Sequence, residues 1–481
     1  MSVRRALVLS FLDRYAGLIL SVVASMAVAR LLTPTEIGVF SVVMATLALA
    51  STLRDLGAGQ YLLQESALTT AKIQSVWAVQ MGIGALLAVV CLLASQPLAW
   101  FYGDERMFGI MGLLALNYLI NPFGSITYAW LMREMRFDAL AWGRFLSGLA
   151  GAVVSVGLAW WGHGPISLAW GSLATTVTNA AVLSCYRPAN FPWRPGLQHL
   201  RDVLRFGSRL TGASVIQTIT SGAPEFMLGK LHNLAEAGYF SRANGLVAMF
   251  RSLVSDAVNA VTLPLFAKTA REDGDLGATF AQVLAYMSVV GWAFSGVVFV
   301  LAEPLVRLLY GAQWDAAVPI VRWLALALVF QVPLGTCSNL LVSKGASGQL
   351  LSATARSCLV TLLAIVVAAP AGMDMVALAM IPASAVGLML WLAAVRTQVA
   401  VPWLALARSS LHSGTVALLT TTAAWGAAQW TAQHQTGRLV AVLAALALSS
   451  LAFLATILLT RHPLAAEVAR LAPWRRTRPA P

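Results

Sequence analysis

TPTEIGVFS at residues 33–41 returns as NLAEAGYFS at residues 233–241. At that constant offset Glu36, Gly38, Phe40 and Ser41 meet Glu236, Gly238, Phe240 and Ser241. The first copy reads as a helix start. Thr33 can cap it, and Pro34 suits the first helical position, where a missing N–H costs nothing. Glu36 then completes a capping box three residues after the cap. Asn233 and Glu236 repeat that pattern in the second copy. The match continues weakly through Ala48 and Ala248, Leu53 and Leu253, and backwards through Leu31 and Leu231 and Arg5 and Arg205. What a duplicated helix start means depends on the solvent around it.

The 481 residues are 59% hydrophobic and 11% charged, with a mean hydropathy of +0.76. An average soluble domain is about 25% charged, so this chain cannot cover a water-facing surface of its size. It reads as an all-α polytopic membrane protein. A net charge of +13 raises the question of nucleic acid. The basic residues, however, fall in short segments between apolar runs, which topology explains, so nucleic acid is excluded as a partner. Cys91, Cys185, Cys337 and Cys358 lie singly inside apolar runs and read as small core residues. No cleavable signal peptide is expected, because the first apolar run is long and carries Asp13 and Arg14.

A bilayer core takes about 20 mostly apolar residues per helix, and the chain offers about 14 such runs on that count. They lie near 8–31, 34–54, 73–95, 107–131, 139–161, 165–186, 207–231, 234–266, 277–302, 316–342, 349–369, 373–395, 411–431 and 438–460, with Pro264 expected to end the eighth. Lys and Arg orient them. With Arg4 and Arg5 inside, the same face receives Arg54, Lys72, Arg133, Arg136, the 187–205 cluster, Lys268, Arg271, Lys344, Arg396, Arg408 and the tail from Arg461. The opposite face receives only Arg30, Arg106, Lys230, Arg307, Arg322 and Arg438. Both termini are therefore expected in the cytoplasm.

The second and eighth helices run the same way, so the repeat is parallel and its axis stands along the membrane normal. The expected organisation is two pseudo-symmetric six-helix bundles, residues 1–190 and 207–400, with two further helices and a basic cytoplasmic tail over 401–481. Between the bundles, 191–206 forms a cytoplasmic linker. Pro188, Pro192 and Pro195 break helicity there, and LQHLRDVLRF reads as an amphipathic interfacial helix.

Three blocks carry a resemblance: AGYFSRANGL at 237–246, AEPLVRLLYGAQWDAAVPIVRWLAL at 302–326, and ARLLTPTEIGVFSVV with LRDLGAGQYLLQE at 29–43 and 53–65. They resemble the oligosaccharide flippase family, the polysaccharide transporter branch of the multidrug/oligosaccharidyl-lipid/polysaccharide exporter superfamily. The resemblance runs over roughly residues 5–400. It implies a V-shaped transporter of the bacterial inner membrane working by alternating access, with no cofactor. The implied cargo is an undecaprenyl-diphosphate-linked oligosaccharide repeat unit for exopolysaccharide, capsule or O-antigen. The implied partners are membrane lipids and a polymerase with chain-length or export proteins. The Arg54 segment is similar to the arginine-bearing end of helix two in lipid II flippases, which implies a diphosphate contact. The acidic neighbour of those proteins is replaced here by Ala58-Gly59-Gln60.

Ionisable groups inside spans are expensive and face a cavity, a partner or the interface. Arg14, Arg54, Arg144, Arg209, Arg251 and Arg356 are the candidate substrate ligands, because planar guanidinium groups grip phosphate oxygens bidentately. Arg251 lies deepest, with Asp256 a little over a turn on. Glu225, directly after Pro224, is a candidate for ion coupling together with Asp256, and a structural pair of Glu225 with Lys230 or Arg242 is the competing reading. Thr33, Glu36, Asn233 and Glu236 are assigned to helix caps.

Enzyme motifs are nearly absent. No GxxxxGK[ST] occurs, Asp273-Gly274-Asp275 sits in a short polar loop, and the six histidines lack metal-ligand spacing. A cation-coupled multidrug exporter of the same superfamily, a membrane glycosyltransferase or polymerase, and an assembly scaffold remain the alternatives.

Overall fold

The structure is a computed structural model that describes residues 3–55, 58–65, 68–188, 191–192, 194–272, 274–434, 437–460 and 462–465. Side chains are described at these positions except 3–14, 55, 58, 60, 64, 202, 205–211, 213, 250–261 and 405. Helices occupy nearly all of it, and no strand occurs among the described residues. The chain divides into two compact units, Met1–Gly238 and Tyr239–Pro481.

The first unit holds α1 (Val3–Leu31), α2 (Pro34–Asp55), the short α3 (Ala58–Gln64), α4 (Thr70–Tyr102), α5 (Arg106–Ile120), α6 (Pro122–Arg133), α7 (Phe137–Trp160), α8 (Ile166–Cys185) and α9 (Leu200–Leu231). The second unit takes most of α10 (Leu234–Arg271), then α11 (Leu276–Leu309), a 3-10 turn (Ala312–Ala317), α12 (Val318–Ser343), α13 (Ser347–Ala368), α14 (Met373–Arg396), α15 (Trp403–Gln433) and α16 (Arg438–Leu459). Nine helices among the described residues are long and apolar enough to cross a membrane, and ten if the bent pair α5–α6 is one span. The helices outside that set include α9 and α10, which have the length but carry Arg201, Glu225, Lys230, Arg242 and Lys268 along it. Two boundaries differ from expectation. The stretch read as an interfacial helix enters α9 without a break, and Pro264 lies inside α10, which ends only at Arg271.

Close packing without a hydrophobic drive between helices needs small residues. On α7 and α8 these are Gly151 with Ser155 and Gly171 with Thr175. A Cβ on Gly171 would sit 2.6 Å from the Ser155 Cβ, and one on Gly151 would strike the Thr175 hydroxyl. Elsewhere in this unit Val39, Val43 and Leu47 of α2 bury against Leu87 and Cys91 of α4 and Met107, Ile110 and Leu114 of α5. Trp100, Trp160 and Trp161 are strongly exposed where α4 and α7 end, as expected of an interfacial aromatic belt.

Prolines leave carbonyls that a bilayer cannot hydrate. Pro122 cannot donate to the Tyr118 carbonyl four residues back, and α5 and α6 meet there at 48°. The freed oxygen points at Gly84 of α4, where a Cβ would collide with it. In the second unit Pro333 likewise frees the Val329 carbonyl, and the Trp292 indole N–H of α11 donates to it at 2.9 Å.

The last two helices are tied to α11 by a buried polar chain. Leu464 N–H donates to His462 Nδ1 at 3.2 Å, so Nε2 carries the proton towards Ser413 Oγ, also 3.2 Å away, and Ser413 donates to the Ala285 carbonyl. Desolvation, with His412 as a second cause, holds His462 below the ordinary histidine range. A base with a lowered folded pKa loses stability as pH falls through its unfolded value of about 6.5. The thermal midpoint of the purified protein should therefore drop between pH 7 and pH 5. His462→Gln should flatten that dependence, which a thermal melt across the range would measure.

Candidate functional site

The repeated stretches meet each other. A Cβ on Gly38 would run into the Leu234 carbonyl and come within 3.1 Å of Gly238 N, while a Cβ on Gly238 would run into the Pro34 carbonyl and come within 3.0 Å of Gly38 N. Leu234 is the repeat equivalent of Pro34, so each copy makes to the other the contact it receives. That reciprocity is a local two-fold relation between the two short stretches, Pro34–Gly38 and Leu234–Gly238. Only glycine lets the backbones come this close.

Caps fix the two crossing ends. Thr33 N–H and Oγ1–H donate to Glu36 Oε2 at 2.8 and 2.9 Å, and Glu36 N–H donates back to Thr33 Oγ1 at 3.3 Å. In the second copy Glu236 N–H donates to Asn233 Oδ1 at 2.9 Å, and His232 Nδ1 lies 3.7 Å from Glu236 Oε1.

From the crossing, α2 and α9 run as one seam. Gly229 lies on Val42, Gly222 on Ala45, and Thr52 shares a hydroxyl hydrogen bond of 2.8 Å with Thr218. Tyr118 donates to the Leu47 carbonyl at 2.8 Å and lies 3.1 Å from Ser51 Oγ, so hydroxyls collect at the end of the seam near Arg54. At the other end Tyr102 donates to the Phe226 carbonyl at 2.9 Å. Lys230 donates to the Phe101 carbonyl at 2.5 Å and covers the Phe101 ring at 4.1 Å.

The first and second sequence blocks, 237–246 and 302–326, pack on one another in the second unit. Tyr239 meets the fully buried Trp314 edge-on at 5.7 Å, and the Arg242 guanidinium lies 5.9 Å over the Tyr310 ring. Arg307 closes that corner, donating from Nε and Nη2 to Asp315 at 2.8 Å each and pairing with Glu303 at 2.6 Å. Both α4 and α11 end on Tyr-Gly, with Gly103 at φ 70° and Gly311 at φ 99°. This likeness of a second pair of helix ends is one that the sequence reading passed over.

The candidate ligands are spread over several helices. Arg54 is half-buried in the last turn of α2, Arg144 is exposed on α7, and Arg356 is exposed on α13 with its guanidinium folded onto Ser352. Arg14, Arg209, Arg251 and Asp256 lie outside the described side chains. Glu225 is buried on α9 next to Pro224. Among the described residues no group of three or more metal-binding side chains forms. The linker docks on α4. Gly196 N–H donates to the Gln74 carbonyl at 3.1 Å, His199 N–H to Ser75 Oγ at 3.0 Å, and Arg187 stacks on Trp77 at 5.2 Å while donating to the Pro192 carbonyl. Burial lowers the Arg187 pKa from its ordinary value.

Residues 27–319, the stretch that holds the crossing, the seam and the Arg307 corner, match the family described as polysaccharide biosynthesis protein. The chain belongs to that family. It is similar to the succinoglycan biosynthesis transport protein ExoT of Rhizobium meliloti, at 26% identity over 64% of this chain and 62% of that protein. The lipopolysaccharide biosynthesis protein WzxC of Escherichia coli is 22% identical over 68% of this chain and 66% of its own length. The chain therefore spans about two thirds of the length of these relatives. Among solved structures, the lipid II flippase MurJ in an inward closed conformation superposes with a TM-score of 0.77 over 96% of this chain and 99% of that one, at 14% identity. An inward-facing multidrug resistance transporter of the MATE family reaches 0.62 over 79% and 94%, at 15% identity. These two show the fold: an all-helical architecture of many apolar helices.

Gly38→Ala should force the crossing apart, since the new methyl meets backbone rather than a movable side chain, at a cost of about 1–3 kcal/mol. Gly157→Ala, with open space around it, should be neutral or mildly stabilising by the helix preference of alanine. Thermal unfolding of the two variants side by side measures the difference.

Proposed function

We propose that the protein is a flippase that carries a polyprenyl-diphosphate-linked oligosaccharide across the bacterial cytoplasmic membrane, from the inner to the outer leaflet, for assembly of a surface polysaccharide. Membership of the polysaccharide biosynthesis protein family over residues 27–319 carries this reading. The names of ExoT and WzxC place those relatives in succinoglycan transport and lipopolysaccharide synthesis, and the fold shared with a lipid II flippase suits a lipid-linked cargo. A polymerase and chain-length or export proteins would then take the product.

In this mechanism the Gly38–Gly238 crossing is the outer closure, and alternating access opens it while the seam below rearranges. Guanidinium groups at Arg14, Arg54, Arg144, Arg209, Arg251 and Arg356 serve the diphosphate. A bare diphosphate cannot cross hydrocarbon, and a bidentate fork replaces part of its hydration. Glu225 and Asp256 are the residues proposed for cation coupling. The competing reading, a cation-coupled drug exporter, draws on the buried carboxylate of Glu225 and on the MATE fold.

Two outcomes follow. Arg54→Ala and Arg251→Ala should each block polymer export and leave the lipid-linked repeat unit on the inner leaflet, because losing one charge of a buried pair costs about 2–5 kcal/mol. Lysine should rescue only in part. Surface polymer and lipid-linked intermediates are the readouts, and normal export from alanine variants at all six arginines would exclude the phosphate grip. Accessibility tags near Gly103, Gly162 and Gln433 should report the periplasm, and tags at both termini and in 191–206 the cytoplasm.

A further inference from the structure

Basic residues on the outer face run against the positive-inside bias, so each needs a reason. Arg106 is spent on Asp104, with Nη2–Oδ2 at 2.6 Å, and this pair holds the Asp104 carboxyl below the usual carboxylate range. Lys230 is spent on the Phe101 carbonyl and ring, and Arg307 on Glu303 and Asp315. Arg322 and Arg438 are different. Neither makes a hydrogen bond or a close ion pair with any described residue, Arg438 feeling Asp315 only through space, yet both open into one cavity of about 490 Å³ in the second unit.

The cavity changes character along its length. On α11 its wall runs from Phe299 and Val300 to Glu303 and Arg307, and on α15 from the exposed Trp425 to Gln429. Arg322, in the first turns of α12, and Arg438, the first residue of α16, stand at the same end as Arg307. One end is thus apolar and aromatic, and the other presents two guanidinium groups that no described carboxylate holds in a close ion pair, Arg438 being attracted to Asp315 only through space. Arg307 adds little attraction of its own, since two carboxylates already hold it. The order from apolar to cationic, read towards the ends of membrane helices, is the depth profile of a lipid with a negatively charged headgroup.

We propose that this cavity binds an anionic phospholipid of the surrounding bilayer, its phosphate gripped by Arg322 and Arg438 and its acyl chains lying along Phe299, Val300 and Trp425. Guanidinium groups are suited to the phosphate because they donate in a planar fork and shed water more readily than an ammonium. A zwitterionic headgroup fits less well. It would bring its own cation to a site where two arginines already repel one another. The site lies entirely among α11, α12, α15 and α16, so it goes beyond the cargo arginines and holds whether or not the cargo assignment does.

The test uses the full chain, purified in detergent and titrated with phosphatidylglycerol, phosphatidylcholine, undecaprenyl diphosphate or inorganic phosphate, with bound lipid read by native mass spectrometry. Phosphatidylglycerol should bind the wild type in preference to phosphatidylcholine. R322A/R438A should weaken it by about tenfold or more, as expected for the loss of two charge-assisted contacts, with the two lysine replacements falling between. The single variants Arg322→Gln and Arg438→Gln should each show a smaller loss, which keeps the test alive if the double variant misfolds. Equal phosphatidylglycerol affinity in wild type and variants would overturn the proposal. So would an arginine-dependent preference for undecaprenyl diphosphate, which would make this a cargo site, or inorganic phosphate binding as tightly as the lipid, which would make it a free-anion site.

Discussion

Two helix ends that touch backbone to backbone constrain everything around them. At the Gly38–Gly238 crossing a single methyl on either residue would meet a carbonyl, so the position of both helix starts is set to within a fraction of an ångström. The caps follow from that demand. A helix end held by contact alone would fray, and Thr33 with Glu36 and Asn233 with Glu236 tie the first turns down. The seam of α2 on α9 then continues the same line with Gly229 and Gly222 before giving way to hydroxyls at Thr52 and Thr218. Backbone contact at one end thus gives way to hydroxyl pairs at the other, and hydroxyl pairs can be exchanged for water at little cost.

The same economy of small residues and freed carbonyls recurs in the interior. Pro122 and Pro333 each release a carbonyl where hydrocarbon offers no donor. The chain answers one with a close approach at Gly84 and the other with the Trp292 indole. These solutions are specific to their partners. Moving a proline by one residue would aim the carbonyl elsewhere and leave it unsatisfied inside the membrane.

Much of this fold was legible in sequence because a bilayer filters the options so severely. Runs of apolar residues had to be helices, the capping residues marked where α2 and α10 begin, and the offset between the two copies announced a duplication. Other features were hidden for physical reasons. The expected end of α10 at Pro264 failed because one proline removes a single internal hydrogen bond and can kink a helix without ending it, and α10 runs on to Arg271. The interfacial reading of LQHLRDVLRF took it as an element of its own, whereas from Leu200 it continues into α9 without a break. Glycine-on-glycine contact left no more trace than two conserved-looking letters in a repeat. Of the candidate site, the sequence could name arginines but not their company. It could not foretell that Arg307 would be held by two carboxylates while Arg322 and Arg438 line a cavity with no close ion pair to a described residue.

That contrast bears on how one scaffold serves several cargoes. This chain shares its fold with a lipid II flippase and with drug transporters at 14–15% identity, so helix arrangement alone does not choose what is carried. Choice must come from the few charged groups the scaffold tolerates, and inside a membrane each is tolerated only when paired, hydrated or matched by a ligand. A carboxylate such as Glu225 can be neutralised by a proton and so suits coupling to a gradient. An arginine cannot shed its charge, and when no protein anion meets it, water or an anion from outside the chain has to. Guanidinium groups without a close protein anion are therefore where an anionic lipid or an anionic cargo has most to gain by displacing water.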